Sequence, residues 1–421
     1  HHLQFGTMLL VALSLLLLQP TSPALALTSP PPFGHSLLDL FSLDTNYTNL
    51  NHGSYGSPPK AVSRSQRDWE LRMEANPDRW FRFDVFGLMD QVRTRVASYI
   101  GAEAEDVAFI PNASHGVNAV LRSLQVPKGK KILFLNIAYQ MVKNTLSYVS
   151  DVRHEQLLQV NITAPISPAS IVAQVERALE QHKGEVFLCA FSHIVSIPGA
   201  ILPVAELTRL SHDNGALVLI DGAHALGQIP LNMTALNADF WVGNGHKWLY
   251  SPKGSAVLWV RRDRQALIEP TTISWEGRGL SHFQTAFSYT GTASYSPYLA
   301  MGAALDFREW LGGEKKVLGY MHSLAKAAGQ HLATAFGTEV LLPEEMYASL
   351  VDVRLPTNNS TIASNLPQQL LERYNTWVPV YALFGNDSGP FYTRVSCQIY
   401  TEMSDIEMLA NAVLDLIAAA S

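Results

Sequence analysis

Ala216–Leu217–Val218–Leu219–Ile220–Asp221–Gly222–Ala223–His224 is an aliphatic run that stops on a carboxylate. Ala238–Asp239–Phe240–Trp241–Val242–Gly243–Asn244–Gly245–His246–Lys247 is a second apolar run that leads to an amine. Runs of this kind, rich in β-branched and aliphatic residues, read as strands buried on both faces. The residue after such a strand sits at the carboxyl edge of the sheet, where open α/β sheets bind ligands. Either polar residue alone reads as a helix cap or a solvated charge. Asp221, His224, His246 and Lys247 together, beside two buried strands, do not.

An amine and a carboxylate at neighbouring strand ends are the groups that pyridoxal 5'-phosphate (PLP) requires. The amine forms a Schiff base with its aldehyde, and the carboxylate keeps its pyridine nitrogen protonated. Phosphate needs free N–H groups and hydroxyls at a helix start, which Asn112–Ala113–Ser114–His115–Gly116 offers between the strand Val107–Ile110 and the helix Val117–Leu124. A plain Ser N-cap explains that segment equally well. Tyr139 and His115 are candidates for the flat partner of the ring. Ser192 and His193 end the strand Val186–Phe191 at the same edge. Arg394 is a charge inside the strand-like run Tyr392–Ser396, where it needs an anion. A substrate carboxylate or a structural salt bridge would serve.

The rest of the chain sets the frame. Strand-like runs at Val107–Ile110, Ile132–Asn136, Val186–Phe191, Leu217–Ile220, Phe240–Val242 and Ser255–Val260 alternate with helical segments, which predicts a mostly parallel sheet covered by helices. Beyond about Met301, strands at Leu350–Leu355, Val378–Leu383 and Tyr392–Ile399 mix with helices at Leu366–Tyr374 and Asp405–Ala420, a smaller α+β domain. The expected division is an N-terminal arm over 28–58, a PLP-binding large domain over 59–305 and a C-terminal small domain over 306–421. A chain of 421 residues with 47% hydrophobic and 16% charged residues is globular, and a net charge of −6 without a basic block gives no reason to bind nucleic acid. Cys189 and Cys397 lie in apolar runs and read as buried free thiols, with a single disulfide as the alternative. The chain has no Gly-x-Ser-x-Gly elbow, no P-loop and no zinc helix, so no metal site is expected.

Residues 1–27 read as a tag remnant followed by a signal peptide. Met8–Leu18 is a short apolar run and Ala24–Leu25–Ala26 resembles a cleavage site, although no Lys or Arg precedes the run. With the sequons at Asn46, Asn112, Asn161, Asn232, Asn358, Asn359 and Asn386, this predicts entry into the secretory pathway or secretion, with no membrane span in the mature chain. A cytoplasmic location follows if the segment is not a functional signal.

Taken jointly, Leu50–Asn51–His52–Gly53–Ser54–Tyr55–Gly56, Asn76–Pro77, Asn112–Ala113–Ser114, Asp221–Gly222–Ala223–His224, His246–Lys247–Trp248, Gly291–Thr292 and Arg394–Val395–Ser396 resemble class V aminotransferase-type PLP enzymes. The likeness is to the branch of isopenicillin N epimerase-like proteins and ergothioneine-pathway C–S lyases (hercynylcysteine sulfoxide lyases), and it runs from about Phe33 to Ala420. It implies an α/β, PLP-dependent transferase fold type I, with a mostly parallel seven-stranded sheet and a smaller C-terminal α+β domain. It also implies a homodimer. By position, Lys247 is the Schiff-base lysine, Asp221 the pyridinium partner, and His224 lies near the phenolic oxygen. Ser114 and His246 lie near the phosphate, to which Thr292 reaches from the neighbouring subunit. Arg394 holds the substrate carboxylate, with Asn51, Arg82 and Tyr139 lining the pocket.

Three departures bear on the reaction. Cys397 follows Arg394 inside a strand, whereas cysteine desulfurases carry a mobile-loop cysteine before the equivalent arginine. Tyr289 and Ser294 stand where the family often has Trp and Asp. The segment Asn76–Pro77–Asp78–Arg79–Trp80–Phe81–Arg82 resembles the C–S lyase branch and favours β-elimination from a cysteine-derived substrate. Epimerase and aminotransferase readings remain as alternatives. A non-catalytic protein of the same fold is the rival of a different class, and the intact Lys247 argues against it.

Overall fold

The computed structural model describes residues 29–274, 283–385 and 388–420. The signal-peptide reading of 1–27 and the sequon at Asn386 fall outside them. Seven strands form the main sheet: β1 (Val107–Ile110), β2 (Lys131–Leu135), β3 (Gln156–Val160), β4 (Val186–Ser192), β5 (Leu217–Asp221), β6 (Phe240–Asn244) and β7 (Ala256–Val260). Their order is β1-β7-β6-β5-β4-β2-β3. β7 runs antiparallel to both its neighbours, and the pairs from β6 through β3 are parallel.

The apolar runs are continuous because both faces of this sheet are covered. Val218, Ile220 and Trp241 enter one packed layer, whereas Leu219, Phe240 and Val242 enter the other, as the period-two alternation of a strand requires. Gly222 allows the close approach this packing needs, since a Cβ there would meet the Trp241 indole at 2.4 Å.

The strand at Gln156–Val160 has no counterpart among the runs read from the residues. It lies at one edge of the sheet, its two glutamines are exposed, and so it lacks an unbroken apolar stretch. The C-terminal part holds a second sheet, β8 (Leu350–Arg354), β9 (Val380–Ala382) and β10 (Phe391–Ser396), antiparallel in the order β8-β10-β9. Helices Glu314–Phe336, Ser360–Tyr374 and Met403–Ala420 pack on it around a third apolar cluster. The turn His52–Tyr55 is wedged between the two sheets: a Cβ at Gly53 would touch Leu350, Trp248 and Ser396. Among the described residues no helix is long and apolar enough to cross a membrane.

Candidate active site

The carboxyl ends of β4, β5 and β6 open onto a cavity of about 230 Å³. Asp221 ends β5, and Ser192 ends β4. Asn244 ends β6 and leads into the one-turn helix Gly245–Trp248, which carries His246 and Lys247. Helix Ala113–Ser123 points its start at the same place, with the Asn112 carboxamide accepting from the His115 N–H at 3.1 Å. Ala113, Ser114, Tyr139, Ser192, Asp221, His224, His246 and Lys247 all line the cavity, together with Ser54, Asn112, Met141, Ile194, Ser196, Ala223 and Asn244.

Charge in this cavity is governed by burial. Lys247 is pulled down to about 8 by desolvation and then by Arg394, against the opposing pull of Asp221. The Asp221 carboxyl is pushed up by burial, against the Ala223 N–H that donates to it at 3.1 Å and against Lys247. His224 is held well below its ordinary range by burial and by the Lys247 charge. Its hydrogen bonds fix a tautomer. Trp248 Nε1–H can only donate, and it lies 3.4 Å from His224 Nδ1. The proton of the neutral imidazole therefore sits on Nε2, 3.0 Å from Lys247 Nζ. Only an uncharged Lys247 can accept it.

Several expected residues stand elsewhere. His193 is buried but turned away, with its Nδ1 accepting from Trp241 Nε1 at 3.3 Å, so it does not line the cavity. His115 is exposed beside the helix start, its ring against Asn112. Arg82 is exposed on the π-turn Trp80–Asp84, where it pairs with Asp78 at 3.2 Å. Thr292 is exposed and meets the Tyr289 hydroxyl at 3.1 Å, away from this chain's cavity.

Arg394 and Asn51 lie one layer behind the wall. Arg394 is 1% exposed and has no carboxylate within ion-pair distance among the described residues. Its Nη1 donates to the Ser196 carbonyl and hydroxyl at 2.6 and 3.1 Å, and its Nη2 to Asn51 Oδ1 and Ser54 Oγ at 3.0 Å each. Asp352, its register partner on β8, supplies the opposing field.

Sequence reasoning missed Asn244, Ser54 and Ser196. Asn244 Oδ1 accepts from the Ala113 N–H at 2.8 Å and so ties the end of β6 to the helix start. Its place between two glycines at a strand end was the available signal. Ser196 offered none.

The residues present suit PLP. His246 Nδ1 is buried without a partner at the cavity wall, and Ser114 lines it with no protein acceptor for its N–H or hydroxyl among the described residues. Unpartnered donors at a helix start await an anion. Asp221 and Lys247 supply the carboxylate and amine.

Residues 58–409 match the aminotransferase class-V family. The chain belongs to that family, and its cofactor is PLP. Over 436 residues it is 30% identical to the L-cysteine desulfhydrase-like protein lolT1 of Epichloe uncinata, covering 91% of this chain and 95% of the relative. It is 29% identical to the hercynylcysteine sulfoxide lyase of Schizosaccharomyces pombe, covering 91% and 97%. A solved cysteine desulfurase from Thermococcus onnurineus NA1 shares the fold, with a TM-score of 0.76 at 19% identity over 93% of this chain and all of that one.

Proposed function

We propose that the chain is a PLP-dependent C–S lyase that acts on cysteine or an S-substituted cysteine. The relatives named as an L-cysteine desulfhydrase-like protein and a hercynylcysteine sulfoxide lyase support the substrate class, and one feature of the chain carries the reading. Both of its cysteines are buried in packed cores, Cys189 pushed up to about 12 and Cys397 pushed up further by desolvation. No thiolate is offered to take sulfur onto the protein, so sulfur must leave with the Cβ–S electron pair.

Bound PLP supplies the electron sink that makes the α-proton removable. Asp221 keeps that sink electron-poor. Ser114, Ala113 and His246 would hold the phosphate, and Tyr139, on the cavity wall, would offer the ring an aromatic partner. Lys247 is the covalent anchor and, once displaced, the base that takes the α-proton on Nζ. His224 orients Lys247 through Nε2–H. Arg394, with Asn51, would hold the substrate carboxylate. After elimination, water converts the remaining three-carbon fragment to pyruvate and ammonia.

Holoenzyme given cysteine and cysteine sulfoxides is expected to release pyruvate and ammonia in equal amounts, with no sulfur added to the protein by mass spectrometry. A persulfide adduct sinks the lyase reading. Exchange of the α-hydrogen with solvent deuterium, without pyruvate, favours an epimerase.

We further infer a secreted homodimer in which Thr292 reaches the neighbour's cofactor phosphate. Support comes from the exposed apolar side chains Tyr55, Leu71 and Phe83 on one stretch of chain. It comes also from exposed sequons at Asn46, Asn161 and Asn358. Light scattering before and after endoglycosidase is expected to give a two-chain mass that falls on treatment. A one-chain mass, or no fall, removes the corresponding part.

A further inference from the structure

The helix that carries Lys247, Gly245–Trp248, is a single turn. A turn that short cannot sustain itself, and its last carbonyls have no donors within it. Two of them are met from outside. Arg308 Nη1 donates to the Trp248 carbonyl at 2.8 Å. Arg308 also donates to the Gly227 carbonyl at 3.0 Å and pairs with Glu314 at 2.6 Å, so it belongs to the framework.

The Lys247 carbonyl is met by His52 Nε2 at 2.8 Å, from the N-terminal arm, and no other donor reaches it among the described residues. A carbonyl can only accept, so the proton sits on Nε2. Nδ1 then accepts from the Tyr400 hydroxyl at 2.8 Å, whose oxygen in turn accepts from Asn49 Nδ2 at 2.9 Å. Burial pulls His52 down to about 4, which keeps the ring neutral and this tautomer fixed near neutral pH.

The same turn of chain grips the site at two further points. Asn51 and Ser54 accept from Arg394 Nη2. Gly56, at φ 67°, lies so close to the preceding peptide that a Cβ there would stand 1.6 Å from the His246 carbonyl oxygen. Residues 51–56 thus touch the peptide on either side of the Lys247 nitrogen-bearing unit and the guanidinium assigned to the substrate carboxylate.

We propose that His52 is a positioning residue that sets the place of Lys247 by capping its carbonyl, and that the arm turn 51–56 couples Lys247 to Arg394. The proposal rests on the assignment of Lys247 as anchor and base. His52 does not line the cavity, so it touches no substrate atom and acts through Lys247 alone. Its loss lets the one-turn helix shift, and a displacement of about 1 Å at a reacting group costs roughly a hundredfold in rate.

The test uses PLP-loaded wild type, His52→Ala, His52→Gln and Tyr400→Phe, with the visible band of bound PLP titrated against pH beside steady-state kinetics. His52→Ala is expected to keep the band, to move its pH midpoint upward as Lys247 becomes better solvated, and to lose about a hundredfold in kcat with KM little changed. His52→Gln, whose side-chain amide can restore the donor, recovers most of both. Tyr400→Phe, which keeps the donor and removes its anchor, falls between. Wild-type kcat and midpoint in His52→Ala overturn the proposal, as does a His52→Gln protein impaired as severely as His52→Ala. Should His52→Ala not fold, a Tyr400→Phe protein identical to wild type overturns it. A wild type without the band, or a Lys247→Ala protein that retains it, refutes the anchor assignment instead and is read independently.

Discussion

Lys247→Ala is expected to abolish turnover, with a loss of at least about 10²–10⁴-fold from proton transfer alone and loss of the visible band of bound cofactor. The size of the effect follows from how the amine is prepared. Burial is the largest influence that brings Lys247 down to about 8, Arg394 adds to it, and Asp221 opposes it. Its reactive form is the free amine, so the sign is clear: the uncharged fraction rises with pH through about 8 and is nearly complete above it. Capture of PLP by cofactor-free protein is expected to accelerate over that window and then level off, which stopped-flow absorbance measures. Lys247→Arg is not expected to rescue, because a guanidinium stays protonated throughout. A Lys247→Ala protein with wild-type rates would remove both the anchor and the base from this site. His224 reinforces the preparation. With Nδ1 committed to Trp248, its Nε2–H is compatible only with an uncharged Lys247.

What the chain discloses before it is folded follows a physical boundary. Asp221 and Ser192 were legible because each ends an apolar run at the carboxyl edge of a buried parallel strand, and Lys247 because it follows such a run in the turn after β6; burial on both faces makes those runs continuous. β3 is not legible because the exposed Gln156 and Gln159 break its apolar run, whereas β1, at the other edge of the sheet, is buried throughout and stays legible. His193 adjoins Ser192, but its ring turns to Trp241, a contact that no spacing announces. Arg82 and Thr292 sit on the surface of the chain, so any catalytic meaning they have depends on a second copy or a bound substrate. Ser54 and Ser196 line the cavity and accept from Arg394, which β10 delivers behind them. Short polar residues in loops carry no periodic signature, and their roles are tertiary.

Arg394→Leu is expected to cost about 2–5 kcal/mol of substrate binding, the usual penalty for removing one partner of a buried charged hydrogen-bonded pair. That converts to roughly thirtyfold to several-thousandfold in kcat/KM, carried mainly by KM. Both amino groups of the guanidinium are now held by neutral oxygens of Ser196, Asn51 and Ser54, and Nε is buried without a partner among the described residues. A carboxylate that exchanges places with those neutral acceptors gains a charge-assisted, bidentate contact. Arg394→Lys is expected to recover only part, since one ammonium cannot span the same oxygens. The discriminating measurement compares an amino acid with the amine that lacks its carboxylate: wild type prefers the former strongly, and Arg394→Leu does not. Equal preference in wild type would assign Arg394 to structure alone. Stability gives a second, independent readout. Burial raises the Asp352 carboxyl to about 6 from an ordinary 3.8, even with Arg394 pulling it down. A folded-state value above the unfolded one means that ionising Asp352 costs stability as pH rises from about 4 through 6. Without Arg394 that window extends upward, so the thermal midpoint of Arg394→Leu is expected to fall further below wild type at pH 8 than at pH 5. The deficit narrows on acidification because the protonated carboxyl keeps its bonds to Tyr381 and the Gly199 N–H without needing a counter-charge.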